Sequence, residues 1–302
     1  MKYGVVVVTY NRCNLLKECM NAILTQSRSF DEIIIVDNCS TDGTLTYLDT
    51  LRMIDKIHVF RLKSNKGGSF GFATGLKFAM NYEIDWCLLI DDDAIIQDDF
   101  NKTIADYIEK DKNRQKAYSC TVLTNDSIYT RHRTRHVSKK LMLLKNVPLE
   151  EYSKESFDCE SATFCGLVVD MNLAQKIGFP KADYFIWEDD AEYCERLRKY
   201  TSIRNVNKAI LNHKTGGDFD AFSWKAFYGA RNLVDIAKTH YGIGNTILCV
   251  LRVSLRGLKY IIKGGNDSYN RWGILLMYIR AITCGLRGHL GIDYRYYPKK
   301  SK

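Results

Sequence analysis

Proline is scarce in this chain, with three residues among 302, and no internal repeat or low-complexity segment is present. With 46% hydrophobic and 26% charged residues, the composition is that of an ordered globular protein and excludes a disordered linker or tail. The ten cysteines, at 13, 19, 39, 87, 120, 159, 165, 194, 249 and 284, include no C-x-x-C pair. Several stand in apolar runs, as Cys87 does in Trp86–Ile90, where cysteine behaves as a small hydrophobe. That argues against a disulfide framework and for a reducing compartment. No apolar stretch reaches the roughly 18 residues that a spanning helix needs. A strand-like run opens at Tyr3, with neither the charged nor the apolar region of a secretory signal before it. The expectation is a cytoplasmic protein.

Charge of one sign is missing from most of the chain. Net charge is +9, yet residues 240–302 alone carry eleven Lys or Arg against Asp267 and Asp293. The other 239 residues hold 33 basic and 33 acidic groups. A neutral body without recognition modules excludes a nucleic-acid-binding protein, whereas a basic tail suits a local anionic surface.

The first 125 residues alternate apolar runs with amphipathic segments. Strands are read at Val5–Thr9, Asp31–Val36, Ile57–Leu62 and Trp86–Ile90, and helices at Asn14–Leu24, Leu45–Leu51 and Phe70–Met80. Strands this apolar are covered on both faces, so the order implies an α/β fold with a doubly wound, mostly parallel sheet. Residues 125–159 read as a polar, basic excursion containing Arg131, Arg133, Arg135, Lys139 and Lys140. A strand at Phe164–Val169, a helix at Ala191–Leu197, a short apolar run at Lys208–Leu211 and a helix at Ala221–Lys238 follow.

Ligands of such sheets bind at the carboxyl ends of the strands, and there the polar clusters fall. Asp91-Asp92-Asp93 closes the fourth strand. Adjacent carboxylates repel, and a cation among them offsets the cost. Mg²⁺ or Mn²⁺ is commonly held by one or two carboxylates with substrate phosphates. An acidic helix start is the plainer reading. Asp37 to Thr44 follows the second strand, where Asp37 can accept hydrogen bonds from a base or ribose, and Asp42 or Thr44 can cap a helix. Asn65-Lys66-Gly67-Gly68-Ser69-Phe70-Gly71-Phe72 allows close backbone approach to a ligand, or is a strand-to-helix turn. Trp187-Glu188-Asp189-Asp190-Ala191-Glu192 offers a general base or a capped helix start. His213, after a short apolar run, is a neutral ligand or a structural histidine.

The succession Val5-Val6-Val7-Val8-Thr9-Tyr10-Asn11-Arg12, Val36-Asp37-Asn38-Cys39-Ser40-Thr41-Asp42-Gly43-Thr44, Asn65-Lys66-Gly67-Gly68 and Asp91-Asp92-Asp93 resembles a family 2 glycosyltransferase of the GT-A fold. The Trp187–Glu192 cluster and Tyr228-Gly229-Ala230-Arg231-Asn232 resemble its galactofuranosyl- and rhamnosyltransferase branch. The resemblance covers residues 3–235. It implies a catalytic domain over 1–239, with a nucleotide-sugar-binding half at 1–125 and an acceptor half at 126–239, and a basic helical extension over 240–302. It assigns Thr9, Tyr10, Arg12, Asp37, Asn65, Gly67, Gly68, Asp91 and Asp92 to the donor, Asp91, Asp93 and His213 to the metal, and Trp187 and Asp189 to the acceptor. Counting back from Arg196 gives Asp190 the catalytic-base position, and the extra Glu188 leaves that register open by one residue.

The implied reaction is inverting and uses Mn²⁺ or Mg²⁺. Galactofuranose or rhamnose would pass from a UDP or dTDP sugar to a glycan or lipid-linked glycan in cell-surface polysaccharide synthesis. A nucleotidyltransferase, or a non-catalytic sugar-nucleotide-binding protein at a membrane, is the alternative. In the tail, Leu251, Leu255, Leu258 and Ile262 recur at helical spacing with Arg252, Arg256, Lys259 and Lys263 one residue later. Leu275, Ile279, Ile282 and Leu286 repeat the theme beside Arg280 and Arg287. Such a face, spanning 245–300, suits the anionic inner surface of a membrane, or packing on the catalytic domain. A homo-oligomer is compatible with either.

Overall fold

A computed structural model of the chain describes residues 1–112, 114–138, 141–214, 222–264 and 269–297. Lys139 and Lys140 of the basic excursion, Ala221 of the expected helix and Asp267 of the tail lie outside the described residues.

The first strand, β1 (Tyr3–Thr9), reads YGVVVVT and is buried at every position, as a strand covered on both faces must be. After it come α1 (Cys13–Leu24), β2 (Glu32–Asp37), α2 (Thr44–Leu51), β3 (Ile57–Arg61), α3 (Gly67–Ala79) and β4 (Trp86–Asp91). β4, β1, β2 and β3 pair side by side, all parallel. The expected glycine-rich turn is the first turn of α3 itself. α3 packs tightly on the sheet: a Cβ at Gly71 would come within 2.6 Å of Val8 Cγ1, and one at Gly75 within 2.4 Å of Val6 Cγ1.

The second half is mixed rather than parallel. It comprises β5 (Ala94–Ile96), α4 (Phe100–Lys110), β6 (Ala117–Thr124), β7 (Ser127–Ile128), β8 (Arg133–His136), β9 (Leu144–Asn146), β10 (Ser156–Cys159) and β11 (Ser161–Ala162). Next are β12 (Leu167–Asp170), α5 (Met171–Ile177), α6 (Asp189–Leu197) and β13 (Ile203–His213). β12 enters antiparallel between β4 and β6, and the main order is β10-β13-β6-β12-β4-β1-β2-β3. The basic excursion is thus structured: β8 pairs with β9 and β11 in a small sheet, while β10 lines the edge of β13. Strands of two to four residues are too short for a period of two to register in sequence.

The short apolar run at Lys208–Leu211 belongs to the eleven-residue β13. Val206 pairs with Cys120 but Ile210 with Thr121, so three residues bulge out and break the alternation. Beyond the bulge β13 pairs with β5, and His213 lies opposite Ala94.

Three helices complete the chain: α7 (Lys225–His240), α8 (Gly242–Ile262) and α9 (Arg271–Arg287). They share one core that includes Phe227, Val234, Cys249, Val253, Met277 and Tyr278. α8 packs through Thr246, Cys249, Val253 and Gly257, so Leu251, Leu255, Leu258 and Ile262 face outward, 55, 65, 49 and 70% exposed. On α9, Ile279 and Leu286 are exposed, and Leu275 and Ile282 are half-buried. Among the described residues no helix is long and apolar enough to cross a membrane.

The α3 contact is a packing constraint with a measurable cost. Gly75→Val should destabilise the fold by about 1–3 kcal/mol, the usual cost of overpacking, read as a lower denaturation midpoint. Gly68→Ala, where a Cβ meets nothing within 4 Å, should leave the midpoint near that of the parent.

Candidate active site

β1 and β4 are neighbours whose carboxyl ends finish level, Val8 opposite Asp91. That register brings the loop after β1 onto the three carboxylates. Thr9 Oγ1 donates to Asp92 Oδ2 at 2.7 Å, and the Tyr10 backbone N–H to the same oxygen at 3.3 Å. Arg12 reaches from the start of α1 to Asp92 Oδ1 at 3.2 Å and Asp93 Oδ2 at 2.7 Å. From the far side β13 delivers His213, whose Nε2 is 3.3 Å from Asp93 Oδ1. Asp92 and Asp93 are both 2% exposed.

One guanidinium does not neutralise this cluster. Burial, then repulsion by Asp93 and Asp92, pushes Asp91 up to about 7, against the pull of His213 and Arg12. Asp92 is pushed up to about 6 by burial, and Arg12 and the Thr9 hydrogen bond hold it there. Burial lowers the His213 pKa, but the Asp93 hydrogen bond and charge outweigh that and raise it. Asp93 and His213 meet and Asp91 is close enough for their charges to shift it, so the Asp93–His213 pair is the part of the implied metal-binding set that is in contact, with Asp91 beside it.

The other donor candidates lie along the same edge, cross-linked loop to loop. Asn11 Oδ1 accepts from Thr41 N at 2.7 Å, and Asn38 Oδ1 from Lys66 N at 2.8 Å. Asp37 is fully buried; its Oδ1 accepts from Ser40 N at 2.9 Å, and Arg61 Nε stands 3.3 Å from Oδ2. Asn65 Oδ1 accepts from Gly67 N at 2.8 Å. Gly67 has φ +84°, and a Cβ there would meet the Phe185 carbonyl oxygen at 2.0 Å. Gly68 opens onto free space, and the Tyr10 ring is 39% exposed.

Phe185 begins the loop that leads into Asp189 and Asp190, and this loop is strained. Phe185, Trp187 and Glu188 all have positive φ, at 67°, 65° and 67°, a conformation costly for residues with side chains. What holds it is α7. Asn232 Nδ2 donates to the carbonyls of Tyr184, Ile186 and Trp187 at 3.1, 3.2 and 2.8 Å, and Arg231 Nη2 to Tyr184 O at 3.0 Å. Gly229 leaves room for the Trp187 ring, which a Cβ would approach to 2.9 Å. The Tyr228–Asn232 segment is therefore the clamp on the Trp187–Asp190 loop.

The clamped loop starts α6 with Asp189 and Asp190 in its first turn and Glu188 just outside it, in the left-handed region. Burial and mutual repulsion raise Asp189 to about 7. Burial, then Glu188 and Asp91, raises Asp190 to about 7. Asp190 thus lies within electrostatic reach of the β4 carboxylates, with a pKa suited to proton transfer near neutrality. Glu188 also rises to about 7 through burial, with Arg256 pulling it down.

Lys225 escaped the sequence reading. It sits in the first turn of α7, 6.0 Å from the Trp187 ring centre. Burial and then Arg12 lower its pKa, and Asp91 and Asp93 raise it. A cation within reach of the donor carboxylates suits a phosphate, but a lone lysine after a weakly patterned segment carries no signal. Buried Arg133 was also missed as a structural residue; its guanidinium donates to the carbonyls of Cys120, His132 and Cys165.

A doubly wound sheet with antiparallel β12 inserted beside an acidic β4 end is the GT-A architecture, and the class is that of the glycosyltransferases. The chain belongs to glycosyl transferase family 2, whose description matches residues 4–167. It is 32% identical over 233 residues to TuaG of Bacillus subtilis strain 168, named as a glycosyltransferase of teichuronic acid biosynthesis, covering 74% of this chain and 83% of that one. It is 36% identical over 89 residues to the galactofuranosyltransferase GlfT1 of Mycolicibacterium smegmatis, covering 30% and 29% of the two chains. Residues 1–349 of Staphylococcus aureus TarS in complex with UDP-GlcNAc superpose with a TM-score of 0.60 at 17% identity, over 98% of this chain and 83% of that one. GalNAc-T7 with UDP, GalNAc and Mn²⁺ superposes with a TM-score of 0.61 at 15% identity, over 79% and 48%.

The raised carboxylates make stability depend on pH. Asp190 favours its protonated form in the fold, so its contribution is fully present below its unfolded pKa of about 4 and is lost as pH rises through about 7. With chelator present, urea midpoints of the parent should fall between pH 4.5 and 7.5, and Asp190→Asn should make that fall shallower. An equal fall in both would show that Asp190 is not held in its protonated form.

Proposed function

We propose that the chain is an inverting, metal-dependent glycosyltransferase that moves a sugar from a nucleoside-diphosphate donor, UDP- or dTDP-linked, to a hydroxyl of a glycan or lipid-linked glycan in cell-surface polysaccharide synthesis. The observation that carries it is the meeting of Asp93 and His213 at 3.3 Å, with the Asp190 pKa raised partly by Asp91. Galactofuranose or rhamnose is the proposed sugar, and the likeness to GlfT1 supports the first. In this reading the donor is served by 1–125, the acceptor by 126–239, and 240–302 is an extension.

Thr9, Tyr10, Arg12, Asp37, Asn65, Gly67, Gly68, Asp91 and Asp92 form the donor wall; Arg12 and Lys225 supply positive charge to the diphosphate. Asp91, Asp93 and His213 would hold a divalent cation, which when bound would supply Lewis-acid neutralisation of the leaving diphosphate. Trp187 and Asp189 orient the acceptor. Asp190 takes the proton of the acceptor hydroxyl as that oxygen attacks the anomeric carbon from the face opposite the diphosphate; the C–O bond to the diphosphate breaks with its electron pair, and one displacement inverts the centre. A positioned base contributes about 10²–10⁴-fold. Release of nucleoside diphosphate from a panel of nucleotide sugars should require Mn²⁺ or Mg²⁺, and Asp190→Ala should cut turnover about a hundredfold or more while donor binding persists. Unchanged turnover in that variant would remove Asp190 as base.

The same enzyme is proposed to work at the anionic inner face of a membrane. Ile243, Ile247, Leu251, Leu255, Leu258 and Ile262 form an exposed stripe on α8, with Arg256, Lys259 and Lys263 exposed beside it. Trp272, Leu276 and Ile279 extend it on α9, next to an open cleft of about 820 Å³ walled in part by Arg280, Arg287 and Arg295. Apolar area flanked by cations is what an anionic interface selects. The parent should float with phosphatidylglycerol vesicles, and a variant with Arg256, Lys259 and Lys263 all changed to Glu should not. Failure of the parent to float would end the membrane reading.

A further inference from the structure

Near the carboxylates, around His213, three soft or borderline donors meet. His132 ends the short helical turn 130–132, Cys165 lies between β11 and β12, and His213 ends β13. One imidazole nitrogen from each histidine and the Cys165 Sγ all lie within 4.8 Å of one another. The two rings stand edge to face, 5.4 Å apart at 89°. His132 and Cys165 are 5% and 3% exposed.

Hydrogen bonding leaves one nitrogen of each ring over. His132 Nδ1 pairs with Thr163 Oγ1 at 2.7 Å, and His213 Nε2 faces Asp93. The remaining nitrogens, His132 Nε2 and His213 Nδ1, are buried and have no hydrogen-bond partner among the described residues. An orphaned buried nitrogen costs about 1–3 kcal/mol, and here two of them share a corner with a thiol.

We propose that His132 Nε2, His213 Nδ1 and Cys165 Sγ form a second, N₂S site for a borderline-soft transition ion such as Zn²⁺, sharing the His213 ring with the proposed hard-cation site at Asp91, Asp93 and His213. Ligands about 2.0–2.3 Å from one tetrahedral ion lie about 3.4–3.6 Å apart, so small side-chain rotations close the triangle. Burial and the neighbouring Arg133 charge keep His132 neutral, its ligand form. Burial raises the Cys165 thiol, so binding breaks the S–H bond, forms the S–metal bond and releases one proton to solvent. Arg133 opposes the dication, while the new thiolate and Asp93 offset it. Asp93 accepting from His213 Nε2–H completes the carboxylate–histidine–metal relay that orients such ligands. One consequence rests on the proposed reaction: an ion here fixes the tautomer in which Nε2 carries a proton, so that nitrogen no longer serves the donor cation.

The test is titration of the metal-free full chain with Co²⁺, followed by the thiolate-to-cobalt charge-transfer band and its displacement by Zn²⁺. One equivalent should develop the band, Cys165→Ser and His132→Ala should each abolish it, and Asp91→Asn should keep it. The double variant Cys13→Ser/Cys39→Ser, which removes the two partly exposed thiols, should also keep it. Melting temperatures near that of the parent show that the variants fold. No band in the parent, a band surviving Cys165→Ser, or one lost with Asp91→Asn or with the double variant would each overturn the site. None of these results bears on whether Asp190 acts as base.

Discussion

The constraint on which the rest depends is the enclosure of three consecutive carboxylates at the end of β4, Asp91 half-buried and Asp92 and Asp93 buried. Taking anions out of water costs several kcal/mol each unless they are paired. Arg12 spans two of them, Thr9 and the Tyr10 amide satisfy one oxygen, and His213 meets the third residue. Every one of those partners is delivered by a different piece of topology: β1 adjacent to β4, α1 starting immediately after its loop, and β13 returning to pair with β5. The charge that remains over is a structural liability of the fold and the means by which it would attract a cation.

A second tension sits in the Phe185–Glu188 loop. Three non-glycine residues at positive φ are held by an Asn–Arg pair on α7, so backbone strain at the loop is balanced by hydrogen bonds from a helix whose other face belongs to the C-terminal core. Gly67 and Gly229 contribute by absence, since a methyl group at either would collide with that loop. The carboxylates at the start of α6 owe their raised pKa values to this enclosure.

Much of this was legible in the sequence, for identifiable reasons. β1, β2 and β4 are continuous β-branched or leucine runs ending in polar residues, so both the parallel core and the edge carrying the site follow from pattern. Asp91 and Asp93 stood out because adjacent acids at the end of an apolar strand are expensive to place there without use, whereas Asp190 and His213 drew their roles from the family resemblance alone. β8 to β11 stayed hidden because strands of two to four residues are held by pairing, not by periodicity. Lys225, Arg133 and the His132–Cys165 corner were invisible because their meaning lies in neighbours that only the fold brings near, such as Asp91 for Lys225, Cys165 for Arg133 and His213 for His132. The direction in which the α8 stripe faces was equally beyond pattern, since an amphipathic helix reads the same whichever side is covered.

The bulge in β13 has a further consequence. Successive strand residues point to opposite faces, so the odd number of residues looped out between Val206 and Ile210 sets the phase in which His213 arrives. The bulge is anchored at Asn207, whose amide nitrogen donates to the Glu151 and Lys154 carbonyls. Residue identity at 208 matters little to the imidazole, but chain length matters absolutely. Losing one residue would turn the ring half a pleat away from the carboxylates without touching a single side chain of the site. Spacing, here, is as much a part of the machinery as chemistry.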